Sequence, residues 1–278
     1  NKKSLFIKLI RRFFILFLLG WIVQGNLLDF DLTKFKIFSN TLQAIAVGYV
    51  FTTIAYIYLK PIQRYFLFAV CLLAYYLLLT LPIVPGIGRS TLNPSTNFAL
   101  YVDNLIFGSF DDGTQYTWFL SSITFTATTM SGLFAGEVIK NQKDKFKVVR
   151  ILFSFGAVVL SMGLLGNAFH PIVKKIWSST FVLFSSGICY FLMAFFYWLI
   201  DIKKKYKWAF FLKVIGMNAI TAYVITHVLP FPKIAGFLLY GLAPYTKKFY
   251  DLITVVGGFI LLYLLLWYMY KNKTFIKV

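Results

Sequence analysis

"RILFSFGAVVLSMGLLGNAFHPIVKKIWSSTFVLFSSGICYFLMAFFYWLI", Arg150 to Ile200, decides how the chain folds. Two apolar runs, near 150–168 and 178–200, flank a short polar insert that carries His170, Lys174, Lys175 and Trp177. Each run has the length of the roughly 20 apolar residues that an α-helix needs to cross a bilayer. Their Phe, Leu, Ile and Val do not alternate with polar residues as barrel strands do, so both runs read as helices. The insert then reads as a wet loop between spans. His170 is expected to be solvated, with a pKa near the ordinary value of about 6.5. No carboxylate stands beside it in sequence, so the loop alone assigns it no proton-transfer role. Lys174, Lys175 and Trp177 read as interface anchors.

The same reading extends along the chain. Its 278 residues are 59% hydrophobic and 13% charged, with aromatics alone at 20%. Soluble domains average about 45–50% apolar and roughly 25% charged, so lipid is the natural solvent here. Further crossings are expected near 9–27, 40–59, 65–84, 117–138, 209–229 and 251–270, about eight in all. The fold class is an all-α, polytopic transmembrane helical bundle forming a single domain over 1–278. The longest connection, 85–116, carries Pro85, Gly86, Gly88, Pro94 and Gly113 as turn signals. Cys71 and Cys189 lie within apolar runs and read as buried small hydrophobes, with no CxxC or HExxH pattern to imply a metal.

Loop charge sets the orientation. Nineteen lysines and arginines fall on the side of both termini and eight on the other, with Lys213 inside a span. The lysine-rich side is expected to be cytoplasmic. The net charge of +19 is therefore mostly a topology signal and a contact for lipid headgroups, and it argues against a nucleic-acid partner. "DIKKKYK", with Lys203, Lys204 and Lys205, could also hold the phosphates of a cytosolic cofactor.

Polar residues inside spans are costly and mark helix contacts or cavities. In "TWFLSSITFTATTMSGLFAGEVIK", Thr124, Thr128, Gly132 and Gly136 share one helical stripe, which reads first as a packing seam and second as a substrate lining. Gly257 and Gly258 read as packing residues. In "AFFLKVIGMNAITAYVITHVLP", Lys213 can snorkel to the cytoplasmic boundary. Asn218 falls near the midplane, where it either bonds another helix or faces a reaction cavity, with Thr221 on a similar face. His227 sits near the outer boundary, in a structural or a catalytic role.

Several segments, taken in order, resemble one family. "TLQAIAVGYV" is similar to an LQR-type segment, "LPIVPGIGRSTLNPSTNFALYVDNLIFG" to a PVPG turn leading to an AAYIDRLLLG-type end, and "HPIVKKIWSSTFVL" to a PVNKxLWTSSFVL segment. "GMNAITAYV" matches a GMNxLxxYV helix, and "YKNKTFIKV" resembles a basic C-terminal end. Together they resemble the heparan-α-glucosaminide N-acetyltransferases and their bacterial DUF5009-like relatives. The resemblance covers nearly the whole chain. Departures are Ala44 for the arginine of LQR, Asn104 for the arginine of IDR, Val173 for the asparagine of PVNK, the absence of a DPEG-type segment, and His227 at roughly the place of an acidic residue. Lost arginines remove bidentate forks that Ala and Asn cannot replace.

The resemblance implies a membrane acyltransferase that passes an acetyl group from cytosolic acetyl-CoA to an amino sugar or related glycan at the outer face. It places the family's key histidine upstream of Asn1, so neither His170 nor His227 takes that role, and the chain reads as lacking N-terminal span(s). The candidate acceptor-binding residues are Gln43, Asp103, His170, Lys175, Trp177, Asn218 and His227. Lys203, Lys204, Lys205 and Lys213 are the candidates for acetyl-CoA, and no metal is expected. The expected partners are the lipid bilayer and a sugar or glycan acceptor, and a homodimer is allowed. The competing class is a transporter or a lipid- or glycan-binding membrane protein, which would show repeats, broken spans and midplane charges. No repeat is evident. The sole Asn-x-Thr acceptor, Asn272–Thr274, falls on the cytoplasmic side, and lysines far outnumber arginines. Both features point to a bacterial inner membrane.

Overall fold

The structure, a computed structural model, describes residues 2–86 and 88–275; Ile87 in the Pro85–Gly88 turn, and Lys277 at the end of the basic C-terminal stretch, lie outside them. The protein is an all-α helical bundle with, among the described residues, one short hairpin, Ile83–Val84 (β1) antiparallel to Gly88–Arg89 (β2). Its long apolar helices make it an integral membrane protein. Among the described residues five helices are long and apolar enough to cross a membrane, or six if one bent pair counts as a single span. Two of the eight expected crossings fall outside that set. The helix Lys2–Val23 (α1) carries Lys8, Arg11 and Arg12, and Ser122–Asn141 (α5) is rich in Thr, Ser and Gly.

The described chain forms two compact units, where the sequence reading takes a single domain. The first comprises the chain up to Trp21 together with Gly25–Lys205. Local chemistry sets its helix starts. Thr41–Tyr58 (α2) begins at Asn40, whose extended backbone lets Oδ1 accept the N–H groups of Leu42 at 2.9 Å and Gln43 at 3.3 Å. Pro61–Thr80 (α3) opens on proline, so Lys60 before it is extended, and Gln63 accepts the Lys60 N–H at 2.8 Å. Asn97 caps Phe98–Phe107 (α4), Asp144 caps Lys145–Gly166 (α6), and Ser178 caps Ser179–Tyr197 (α7). The expected 117–138 span starts five residues late, because Thr117 to Ser121 fold as a turn before α5.

α5 is the centre of this unit, packing on α2, α3, α6 and α7. Glycines bring the helices close. A Cβ on Gly163 would lie 2.7 Å from the Phe184 nitrogen, and one on Gly187 would lie 2.7 Å from the Leu160 nitrogen, which joins α6 to α7. A Cβ on Gly48 would lie 2.7 Å from the Phe125 carbonyl oxygen, which joins α2 to α5. Gly132 and Gly136, expected in a seam, have nothing near an added Cβ. At these two glycines the stripe is corrected from seam to exposed surface, while Thr124 is buried and Thr128 bonds Trp177.

The second unit is Ile22–Gln24 with Tyr206–Val278. The crossing expected at 209–229 is two helices, Phe210–Met217 (α8) and Ala219–Val228 (α9), bent by 72° at Asn218. Phe231–Leu238 (α10) and the single turn Ala243–Thr246 (α11) lead to Tyr250–Lys271 (α12). Gly258 does serve packing: its Cβ would lie 2.7 Å from the Pro232 nitrogen, so α10 rides directly on α12.

Candidate functional site

In the first unit the chain between α4 and α5, the start of α2 and the loop before α7 form one polar and aromatic layer. Its residues come from distant parts of the sequence, and most of its hydrogen bonds close within the layer. Asp103, on the short helix α4 within the long connection, is fully buried and accepts the N–H groups of Trp118 at 2.6 Å and Phe119 at 2.9 Å. Burial pushes its carboxyl up to about 7. The two N–H groups oppose that shift, and nearby Asp111 and Asp112 add to it. Asp112 in turn accepts the Trp118 indole N–H at 2.9 Å.

Gln43 is fully buried, accepts the Ser39 N–H at 2.9 Å and donates to the Ile37 carbonyl at 2.9 Å. It fastens the segment before α2 and does not offer its amide to a ligand. A second network joins α3 to the loops: the Tyr75 hydroxyl meets Ser121 Oγ at 2.8 Å and the Ile176 carbonyl, and Thr117 meets Ser121 at 2.6 Å. Sequence reasoning missed this network because its members come from α3, the turn before α5 and the loop before α7, far apart in the chain.

His170 is corrected from wet to buried, at 4% exposure. Its Nε2 accepts the Ser179 N–H at 3.1 Å, so it caps α7, and its ring stands edge-on to Tyr76 at 4.9 Å. Accepting at Nε2 leaves the proton on Nδ1, which is buried without a partner. Burial pushes its pKa down to about 4, away from the solvated value. The loop folds back because Ser178 and Thr180 hydroxyls take the carbonyls of Pro171 and His170 at 2.8 and 2.7 Å.

Trp177 ends that loop at φ +48°, a conformation costly for a large side chain, by about 1–3 kcal/mol. Its indole donates to Thr128 Oγ1 at 3.0 Å and packs edge-on to Phe125 and Phe181. Below it, between α5 and α7, lies a crevice of about 170 Å³ lined by Thr128, Ser131, Gly132, Ser185, Ser186 and Tyr190, among others. Cys189, expected to be buried, is exposed and lines it too. Ser131 donates to the Tyr190 hydroxyl at 3.2 Å, and that hydroxyl donates to the Ser131 carbonyl at 2.8 Å. From Thr128 to Ala135 the crevice runs about 10 Å along α5, at 1.5 Å per residue.

Lys175, on the loop before α7, is exposed; its carbonyl accepts the Thr117 N–H at 3.1 Å and its ammonium donates to Gln115 at 2.6 Å. Lys203, Lys204 and Lys205 are exposed beyond a π-helical turn that closes α7, with the Lys203 ammonium 5.5 Å from the Trp198 ring. In the second unit Lys213 lies over Tyr270 at 5.5 Å, and His227 is exposed with Nδ1 2.8 Å from the Tyr223 carbonyl. Asn218 is 2% exposed; its Nδ2 makes long contacts of 3.3 Å to the Val214 carbonyl and 3.5 Å to the Leu266 carbonyl. Its Oδ1 and the Thr221 hydroxyl are buried without partners. One ion pair escaped notice: Arg64 on α3 bonds Glu137 on α5, both within apolar helices. Glu137 is the chain's one glutamate, which was the available signal. Among the described residues no three His, Cys, Asp or Glu side chains gather into a metal site. No family model matches the chain, and no curated protein matches it.

Proposed function

We propose that the protein is a membrane acyltransferase, which moves an acetyl group from acetyl-CoA on the lysine-rich face to an amino sugar or related glycan on the opposite face. The observation that carries this reading is the crevice between α5 and α7, whose wall includes Thr128, Ser131, Ser185, Ser186 and Tyr190, with Trp177 bonded to Thr128. Hydroxyl-bearing residues within an apolar bundle mark helix contacts or cavities. Trp177 presents an aromatic face to a sugar, and the ammonium groups of Lys203, Lys204 and Lys205 suit CoA phosphates. The acceptor nitrogen attacks the thioester carbonyl carbon, the C–S bond breaks, and the sulfur leaves as the CoA thiol after taking up a proton. The amine proton passes to a general base, the role that the resemblance gives to a family histidine.

The test uses the complete protein in nanodiscs with radiolabelled acetyl-CoA and glucosamine. Labelled N-acetyl product is expected, and Gly132→Leu, which fills the crevice from an unpacked position, abolishes it while the protein stays folded. Full activity in Gly132→Leu would remove the crevice from the mechanism. No transfer to any amino sugar would remove the reading.

A second reading, transport without acetyl transfer, is favoured by the 72° break at Asn218 and the two unpartnered polar atoms beside it. It predicts flux of unmodified solute that acetyl-CoA does not affect.

A further inference from the structure

α1 carries Lys8, Arg11 and Arg12 in a run that is otherwise apolar. Its 22 residues reach about 33 Å at 1.5 Å per residue, enough for a hydrocarbon core about 30 Å thick. Contacts fix its register against α2. The Asn40 amide donates to the Gly20 carbonyl at 2.7 Å, Phe17 packs on Phe38, and the Arg12 guanidinium lies 4.2 Å from the centre of the Tyr49 ring. The two helices therefore run antiparallel, with Arg12 level with Tyr49. Tyr49 is about 14 Å along the helix from Asn40 and about 16 Å from Lys60. α2 is long and apolar enough to cross a membrane, so Arg11 and Arg12 lie near mid-depth. Arg12 turns to an aromatic face, whereas Arg11 beside it is exposed.

Arginine keeps its charge, and a charge at that depth calls for an opposite charge. This chain has none to give Arg11. Of its nine acidic residues, six lie in loops, caps or short turns. Asp103 is spent on two backbone N–H groups, Glu137 holds Arg64, and Asp251 lies in the first turn of α12. We propose that the exposed face of α1 docks a transmembrane helix of another protein that carries a carboxylate at mid-depth. Ile7, Arg11, Phe14 and Leu18 follow one another at steps of four, three and four residues, and all are exposed. That spacing is the seam of a packed helix pair, and one polar residue on such a seam fixes its register. The apolar members of the seam are at home in lipid; the arginine is not, so charge selects the occupant. A second copy of this chain would set arginine against arginine and has no carboxylate at that depth to offer. A small anion would add its own charge to a lipid-facing surface. A helix brings its carboxylate with its backbone bonds closed and covers the pair with apolar side chains. Guanidinium and carboxylate then meet as a bidentate pair. The surface goes beyond the acetyl-transfer reading and stands without it.

The test places the complete protein, labelled with a donor fluorophore, in phosphatidylcholine vesicles with acceptor-labelled synthetic transmembrane helices of leucine and alanine. One peptide carries glutamate at its centre, a second carries glutamine there, and a third carries the glutamate near one end. Energy transfer near neutral pH is expected to show about tenfold tighter association of the central-glutamate peptide than of the other two. Arg11→Gln is expected to bring all three to one level, while Arg150→Gln, at an exposed position near the start of α6, keeps the preference. Should Arg11→Gln fail to fold, the three peptides compared on the unaltered protein still decide. Equal association of the three would overturn the proposal, as would a preference that survives Arg11→Gln or is also lost in Arg150→Gln. Energy transfer between copies of the protein without peptide, abolished by Arg11→Gln, would give the face to a second copy and overturn it too.

Discussion

Gln43 in the first unit and Asn218 in the second are both carboxamides within apolar sequence, at 0% and 2% exposure. Gln43 uses both ends at 2.9 Å, tying Ser39 and Ile37 to the start of α2. Asn218 holds only long contacts through Nδ2 and leaves Oδ1 bare at the point where the helix breaks. The same chemical group is thus a fastener in one place and spare capacity in the other. A buried polar group whose bonds are complete is explained by the fold; one left incomplete is not. The contrast extends further. Asp103 and His170 Nε2 are spent on backbone N–H groups, whereas Asn218 Oδ1 and the Thr221 hydroxyl are not.

Substitutions that break closed networks should cost most. Asp103→Ala strands the N–H groups of Trp118 and Phe119, and hydrogen bonds to a carboxylate are worth roughly 1.5–3 kcal/mol each, so a loss of about 4 kcal/mol in unfolding free energy is expected. Gln43→Ala removes two bonds and leaves a void, for about 3 kcal/mol by chemical denaturation in detergent. Asn218→Ala removes an already unpaired acceptor and should cost under about 1 kcal/mol. Equal losses for Gln43→Ala and Asn218→Ala would erase the distinction between the two amides.

A smaller effect appears in pH dependence. The Asp103 carboxyl titrates at about 7 in the fold, above the unfolded value, so the stability it contributes is complete below about pH 4 and fades as pH rises to 7. His170 titrates at about 4 in the fold, below the unfolded value, so its contribution is complete above about pH 6.5 and fades as pH falls to 4. The two slopes oppose each other. Asp103→Asn should leave a protein whose melting temperature falls on acidification across that window, and His170→Gln one whose melting temperature falls as pH rises. Both variants tracking the unaltered protein would show that neither group is buried as described.

The smallest effect concerns glycines. Gly132→Ala, in a helix with open space around it, should stabilise by about 0.5–1 kcal/mol. Gly163→Ala meets the Phe184 backbone at 2.7 Å and should destabilise. A loss of stability in Gly132→Ala would return the α5 stripe to a packing role.

Much of this fold is legible in the sequence. The caps Asn40, Asn97, Asp144 and Ser178, and Pro61 at a helix start, are local signals, and apolar run length places the helices. What is not legible depends on distant partners. His170 reads as wet because Ser178 and Thr180, which draw its loop back, look like ordinary loop and helix-start residues, and Tyr76 comes from another helix. Gly132 and Gly163 look alike in sequence; only the position of α7 separates an open face from a contact. The break at Asn218 carries no proline, and "GMNAITAYV" keeps the hydropathy of a continuous span. Of the candidate site, Trp177 was readable as an aromatic at a loop end. The crevice beneath it needs two helices brought together.

Sidedness tests the central claim most directly. Proteoliposomes would hold the complete protein in one orientation, with glucosamine sealed inside and radiolabelled acetyl-CoA supplied outside, on the face carrying Lys203 to Lys205. The account predicts labelled N-acetylglucosamine in the lumen and free CoA outside. Unlabelled glucosamine leaving the vesicles at a rate indifferent to acetyl-CoA would contradict it and establish transport instead.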